Sequence, residues 1–332
     1  MTPDEMDKAA RRAEAALRRS WRATLASISA VWTDAELSAL ISAGQLDTAM
    51  GSFGPAMERL VNEWNRQFVG AGNSTATSIE SALGRSSFGE VIVTYDMTNT
   101  HAVEAMQANQ LRMVREFTEA QRRATREALT DGVTRGLNPR EQARNFRASI
   151  GLTQRQQQAV NNFRRLLERR SSEALSRRLR DQRFDGTVRR AIREKKPLTN
   201  TQVDTMTERY RRRFIKHRSE VIARTEALRS VHQGAQQMYN QAVADGTLDP
   251  NSILRQWNTA RDERVRSSHS TMHGQERRGF DDPFISGRGN ALLYPGDSSA
   301  PGAETIQCRC VVGTRIDIEA QQGILSIQAA GL

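Results

Sequence analysis

Both cysteines and two of the five histidines of this 332-residue chain lie in one short region. His269 and His273 stand in RQWNTARDERVRSSHSTMHGQ, and Cys308 and Cys310 follow in QCRC. Two imidazoles and two thiolates match the ligand set of a tetrahedral structural zinc. The CxC spacing is poorer than the usual CxxC knuckle, and nothing in the spacing forces the two halves to meet. Packing alone is the competing reading, with the cysteines as small buried hydrophobes and the histidines as hydrogen-bonded turn residues. A structural zinc on His269, His273, Cys308 and Cys310 is thus the one cofactor expectation, and the metal-free alternative stays open beside it. A disulfide across CxC would be strained. Asp262, His269 and a cysteine can also be drawn as a base and nucleophile. However, Ser270 stands where an HExxH protease needs glutamate, and HSTMHG lacks the asparagine of an HNH-type nuclease. No residue is therefore assigned a catalytic role. A metal-dependent nuclease or other DNA-processing enzyme is the alternative.

Short elements must position these residues. ILRQWNT (253–259) reads as a strand with Trp257 pointing inward. RDERVRSSH follows as a turn and short helix that Asp262 can cap, with Arg266 and His269 three apart. His269 and His273 are four apart, so one helical face would present both imidazoles. If CRCVVGTRI is a strand, both thiols point to the same side. Beyond Gly246, glycines and prolines such as Gly279, Gly289, Pro283 and Pro301 replace helical periodicity with turns and ordered loops.

The rest of the chain reads as helix. Hydrophobic residues are only 37% and aromatics 5%, with a mean hydropathy of −0.64. That is thin core material for a chain long enough for about two domains. Ala16, Leu17, Trp21, Leu25 and Ile28 recur at helical spacing. Thr33 with Glu36, Asn138 with Glu141, Thr153 with Gln156 and Thr199 with Gln202 carry capping signatures, and Pro139 suits a first helical position. PAMERLVNEWNRQFVGAG predicts a helix closed by a glycine-rich break, and EVIVTYDM (90–97) predicts a strand. The expected class is α+β, mainly α, with helical N-terminal and middle regions and a small loop-rich α+β C-terminal module. The expected division is 1–98, 99–194 and 195–332, the last beginning with a helix that packs on the C-terminal region. Trp21, Trp32 and Trp64 read as core anchors.

No run approaches the ~18 apolar residues of a membrane span, and the N-terminus lacks a signal peptide's apolar core. With two cysteines, a reducing, intracellular setting is expected. The net charge of +11 points to a polyanion or an acidic protein. The most basic stretch, ERRSSEALSRRLRDQRFDGTVRRAIREKK, places Arg169, Arg170, Arg177, Arg178, Arg180, Arg189 and Arg190 as candidates for phosphate contact. It lacks interleaved aromatics and any base-reading motif, so sequence-independent contact is the limit, with a solvated helical face as the alternative.

Taken together, IARTEALRSVHQGAQ, QWNTARDERVRSSHSTMHGQ and LLYPGDSSAPGAETIQCRCVVG resemble the phage Mu F-like head morphogenesis family, described also with the SPP1-type minor capsid proteins. The matching residues are Arg224, Thr225 and Glu226; Trp257, Asp262, Arg266, His269 and Gly274; Pro295, Gly296 and Asp297; and Cys308, Arg309 and Cys310. They occur in the family's order over roughly residues 195–315. The resemblance implies a minor head protein of the virion, inside the capsid near the portal and in the host cytoplasm during assembly. Its implied partners are the portal protein, a major capsid or scaffold protein, and packaged DNA through non-specific phosphate contacts, without a membrane. Docking on the portal would use the N-terminal helices, with the three tryptophans as anchors. Some relatives carry toxin modules; none is expected here. The shared motifs are expected to act as internal pins, Arg224 pairing with Asp262 or Asp297 and Glu226 with Arg266 or Arg309.

Overall fold

The computed structural model describes residues 1–84 and 91–322. It is mainly α with small antiparallel sheets toward the C-terminus, as the sequence predicts. The helices are α1 (Pro3–Ala30), α2 (Asp34–Ser42), α3 (Leu46–Gly51), α4 (Phe53–Ala56), α5 (Glu58–Leu83), α6 (Thr100–Thr134), α7 (Pro139–Ser149), α8 (Gln154–Glu168), α9 (Asp185–Arg193) and α10 (Asn200–Ala244). Short elements follow: β1 (Ile253–Asn258), α11 (Ser267–Ser270), β2 (Glu276–Arg278), β3 (Phe284–Ile285), β4 (Ala291–Leu292), α12 (Gly302–Thr305) and β5 (Val311–Ile316).

The chain forms two compact units. Unit 1 gathers Met1–Ser20, Leu60–Gln110 and the chain from Val221 onward; unit 2 gathers Trp21–Arg59 and Leu111–Glu220. Their boundaries fall inside α1, α5, α6 and α10, so the units alternate along the sequence. The first half of α10 belongs to unit 2, and only its second half joins the C-terminal region.

In unit 2 the capping signals are realised. Thr33, Asn138 and Thr153 each accept the backbone N–H three residues on, while Glu36, Glu141 and Gln156 reach back to the cap. Thr199 and Gln202 do the same at the start of α10. Each box satisfies two otherwise orphaned donors. Phe163 stacks on Tyr210 at 4.3 Å within an apolar cluster that includes Leu152, Val160 and Leu167. Trp21 meets Phe117 edge-on at 4.9 Å, under the buried Arg218 guanidinium. Burial lowers the Arg218 pKa to about 10.

In unit 1, α5 runs unbroken through Gly70 and Gly72, where a glycine break was expected. Gly72 serves packing: a Cβ there would lie 2.7 Å from the Tyr95 ring. Tyr95 sits in the segment expected to be a strand. Glu90 lies outside the described residues, and residues 91–96 pair with no strand among the described residues. Val93 and Tyr95 are buried and Ile92 is exposed, so the two-residue alternation survives. What replaces the ladder is side chains: Val93 N–H donates to Glu80, and Gln241 both accepts from Asp96 N–H and donates to Asp96 C=O. Trp64 is fully buried against Phe68. Trp21 and Trp64 are thus core residues, which removes them as docking anchors.

The C-terminal part of unit 1 is built around β1, which pairs antiparallel with β2 on one side and β5 on the other. Trp257 lies opposite Val312 and is fully buried, as expected. β3 and β4 form a separate pair. On β5, the Thr314 N–H donates to the Met1 carbonyl at 2.9 Å. The chain's first residue is thereby part of unit 1.

Candidate functional site

The second half of α10 carries Thr225, whose hydroxyl donates to Val221 C=O at 2.8 Å and accepts Gln307 N–H at 3.0 Å. Gln307 has φ +57°, a left-handed turn rare for a residue with a side chain. That turn delivers Cys308 and Cys310 just before β5 begins at Val311, so the thiols precede the strand. Both sulfurs face His269 Nδ1, Cys308 at 3.4 Å and Cys310 at 3.5 Å. His269 stands on the one-turn helix α11, edge-on to Trp257 at 5.5 Å.

Behind the imidazole lies Glu304 of α12, its Oε2 3.0 Å from His269 Nε2. The contact is close, although the N–H is not aimed well enough to count as a hydrogen bond. Two lone pairs at that distance would repel, so the proton belongs on Nε2 and the Nδ1 lone pair faces the sulfurs. Glu304 has no exposure and accepts from Ser268 Oγ (2.8 Å), Asn290 Nδ2 (3.0 Å) and Ser286 Oγ (3.3 Å). Burial alone would raise its pKa. Donors from Ser268, Asn290 and Ser286 outweigh that and hold it below the usual value. The Cys308 thiol is held well below its ordinary value, chiefly by the hydrogen bond from Cys310, and Cys310 is raised by the same contact.

His273 is not in this cluster. The helix ends at Ser270, and Gly274 at φ +80° turns the chain so that its N–H reaches Trp257 C=O. A four-residue spacing shares a face only where the helix continues. His273 instead accepts from Arg261 Nε at 3.1 Å and faces Thr259. Three of the four expected ligands therefore meet: His269, Cys308 and Cys310.

The charged motif residues are engaged within unit 1, with partners that differ from those expected. Arg224 pairs with Glu14 of α1 through two bonds at 3.1 and 3.2 Å, leaving Asp262 and Asp297 to others. Asp262 takes Arg309 instead, which lowers the carboxyl's pKa. It also accepts Arg264 N–H, forming a local turn, so it caps no helix. Glu226 holds Arg229 at 2.8 Å, one turn along α10, and Arg229 Nε donates to Gly296 C=O at 2.9 Å. Gly296 has φ +90°, and a Cβ there would sit 3.1 Å from Arg229 N. Asp297 accepts Leu293 N–H and Ser299 N–H, closing the loop after Pro295. Arg266 bonds to Ile306 C=O.

Three residues that hold the site were missed by sequence reasoning. Glu304 sits in GAETIQC with nothing to mark it as buried. Arg255 is 2% exposed and donates to the carbonyls of Gly279, Asp282 and Leu293. A signal did exist here, because Arg255 is two residues from inward-facing Trp257 on one strand and must share its face. His232 donates from Nδ1 to Leu228 C=O at 2.9 Å and accepts Val312 N–H at Nε2, tying α10 to β5. Burial lowers its pKa to about 4.

Of the arginines considered for phosphate contact, all in unit 2, Arg180 is held by Asp185 through two bonds at 2.9 Å. Arg170 bonds to Lys195 C=O, and Arg177 lies 3.8 Å from Glu173. Arg169, Arg178, Arg189 and Arg190 are exposed, Arg189 3.9 Å from Asp185. In unit 1, a cleft of about 530 Å³ runs beside the cluster, lined by Asp7, Glu14, Arg224, Arg261, His273 and Cys308 among others. Among the described residues, no helix is long and apolar enough to cross a membrane.

The family model described as phage Mu protein F like protein matches residues 123–313, more than half of the chain. No match is found among curated proteins or among solved structures.

Proposed function

The chain belongs to the phage Mu protein F-like family, and on that ground we propose that it is a minor head protein, placed beside the portal on the capsid's inner side. The family points to phage head morphogenesis and to the virion. The finer reading assigns the protein to head assembly and to packaging or delivery of DNA. One observation carries it beyond the family: the residues with chemistry are engaged internally. His269, Glu304, Cys308 and Cys310 are each at most 2% exposed. A nuclease centre needs its reacting groups open to a phosphodiester, whereas a rigid docking platform needs them closed. The exposed Arg169, Arg178, Arg189 and Arg190 supply non-specific phosphate contact to packaged DNA.

Co-purification with the portal protein from the same phage tests the placement. The full chain is required, because Met1–Ser20 belongs to unit 1 and a truncation would damage that unit. The expected result is a stable complex and the protein's presence in purified virions. Its absence from virions would overturn the reading. Plasmid cleavage with divalent metal that disappears in His269→Ala would favour the nuclease instead. For DNA, binding should weaken steeply with salt, and replacing Arg178 and Arg190 together should reduce that slope.

A further inference from the structure

Two sulfurs and one imidazole lone pair converge in the closed C-terminal region. The donor atoms of His269, Cys308 and Cys310 all lie within 4.8 Å of one another, and all three side chains are buried. Packing alone accounts poorly for this arrangement. A single Nδ1 lone pair can accept one thiol proton, yet both sulfurs approach it at nearly equal distance. Glu304 adds a second, independent feature. It is itself fully buried and held by Ser268, Ser286 and Asn290, and it faces the opposite nitrogen of the same ring. A carboxylate behind an imidazole, turning the far lone pair toward other donors, is how metal-binding histidines are oriented.

We propose that His269 Nδ1, Cys308 Sγ and Cys310 Sγ bind one zinc ion, with Glu304 orienting the imidazole from behind. The soft S₂N donor set selects zinc over calcium or magnesium, which require oxygen. Two thiolates neutralise the divalent charge, so the centre tolerates burial. Among the described residues three protein donors meet there, which leaves one tetrahedral position for a further ligand. Cys308 also lines the cleft beside α1, which supplies an entry path. His273, turned toward Arg261 and Thr259, is excluded from the ligand set. The site's role is to join α11 to the segment entering β5. This inference does not depend on the assembly role proposed above.

The test uses the full-length protein purified without chelator. Elemental analysis should give about one zinc per chain. After the zinc is stripped, cobalt(II) should produce sulfur-to-cobalt charge-transfer absorption and the visible bands of a tetrahedral site. Cys308→Ser and Cys310→Ser should each abolish the charge-transfer signature of the pair, and His273→Ala should leave it unchanged. Glu304→Gln should retain the spectrum but weaken metal affinity about 10- to 100-fold. Should the cysteine variants fail to fold, the wild-type cobalt titration and His273→Ala still decide the matter. Absence of thiolate–cobalt absorption in the wild type overturns the proposal. So does a native Cys308–Cys310 disulfide, or loss of metal in His273→Ala.

Discussion

In unit 2, the buried Asp181 takes Arg183 at 2.7 Å, with Arg213 at 3.3 Å and Arg209 at 3.7 Å, guanidiniums that reach it from partly exposed positions. In the C-terminal part of unit 1, Glu304, Arg255 and His232 are buried and bond to loops, a backbone N–H or other buried groups. Both regions are rich in charge, and they use it differently. Helices satisfy their own backbone, so the Asp181 cluster of unit 2 pairs side chain with side chain while Phe163 and Tyr210 help fill the core. The C-terminal region has strands of two to six residues, and its loop carbonyls need partners from elsewhere. Arg255 answers three of them, and Arg229 and Arg266 one each. Where secondary structure is short, polar side chains take over its hydrogen bonding.

The largest contrast should come from removing one buried pin. Glu304→Ala leaves Ser268, Ser286, Asn290 and His269 facing a void, at an expected cost of about 3–5 kcal/mol. Hydrogen exchange should show protection lost around residues 268–310 and kept in α8 and α9. Equal loss in both units would break the comparison.

Acidification should separate the units next. His232 has a pKa of about 4 in the folded chain against an ordinary 6.5. Between these values the unfolded chain binds the proton and the folded one does not, so stability falls as pH drops from 6.5 to 4. At about 1.4 kcal/mol per pH unit the total is about 3 kcal/mol. Asp181, held at about 2 chiefly by Arg183, acts the other way round in chemistry but not in sign. Its contribution is intact above its ordinary 3.8 and is lost as pH falls through 2. Unit 1 should therefore loosen first, as followed by circular dichroism and exchange at each pH. A His232→Gln variant that keeps the full slope between pH 6.5 and 4 would sink this assignment.

Within unit 1, Gly234→Ala tests how closely α10 approaches α5. Its new Cβ would meet Phe68 C=O at 2.1 Å, so backbone must move, at about 1–3 kcal/mol. A neutral or stabilising outcome in urea unfolding would contradict that packing. The smallest effect belongs to unit 2. Arg189→Ala removes an exposed contact of 3.9 Å and should change stability by less than about 1 kcal/mol. A larger loss would mean that these surface pairs carry more of the fold than their exposure suggests.

The sequence by itself determined what is local. Helix starts at Thr33, Asn138, Thr153 and Thr199 were legible because a cap involves residues three apart. So were the strand at 253–258, the inward Trp257 and the change of character after Gly246. The motif set also sufficed to identify the family. Tertiary structure decided everything that depends on a distant partner. Residues 91–96 have the pattern of a strand but found Glu80 and Gln241 in place of a neighbouring strand. Gly72 looked like a helix end and proved to be a seat for Tyr95. The candidate cluster divides in the same way. His269, Cys308 and Cys310 were visible as scarce residues, whereas His273 was excluded by a turn and Glu304 was supplied by a helix of only four residues. A glutamate's burial leaves no trace in its own neighbours along the chain. It is fixed by three donors brought to it from positions 268, 286 and 290, and only the folded chain brings them together.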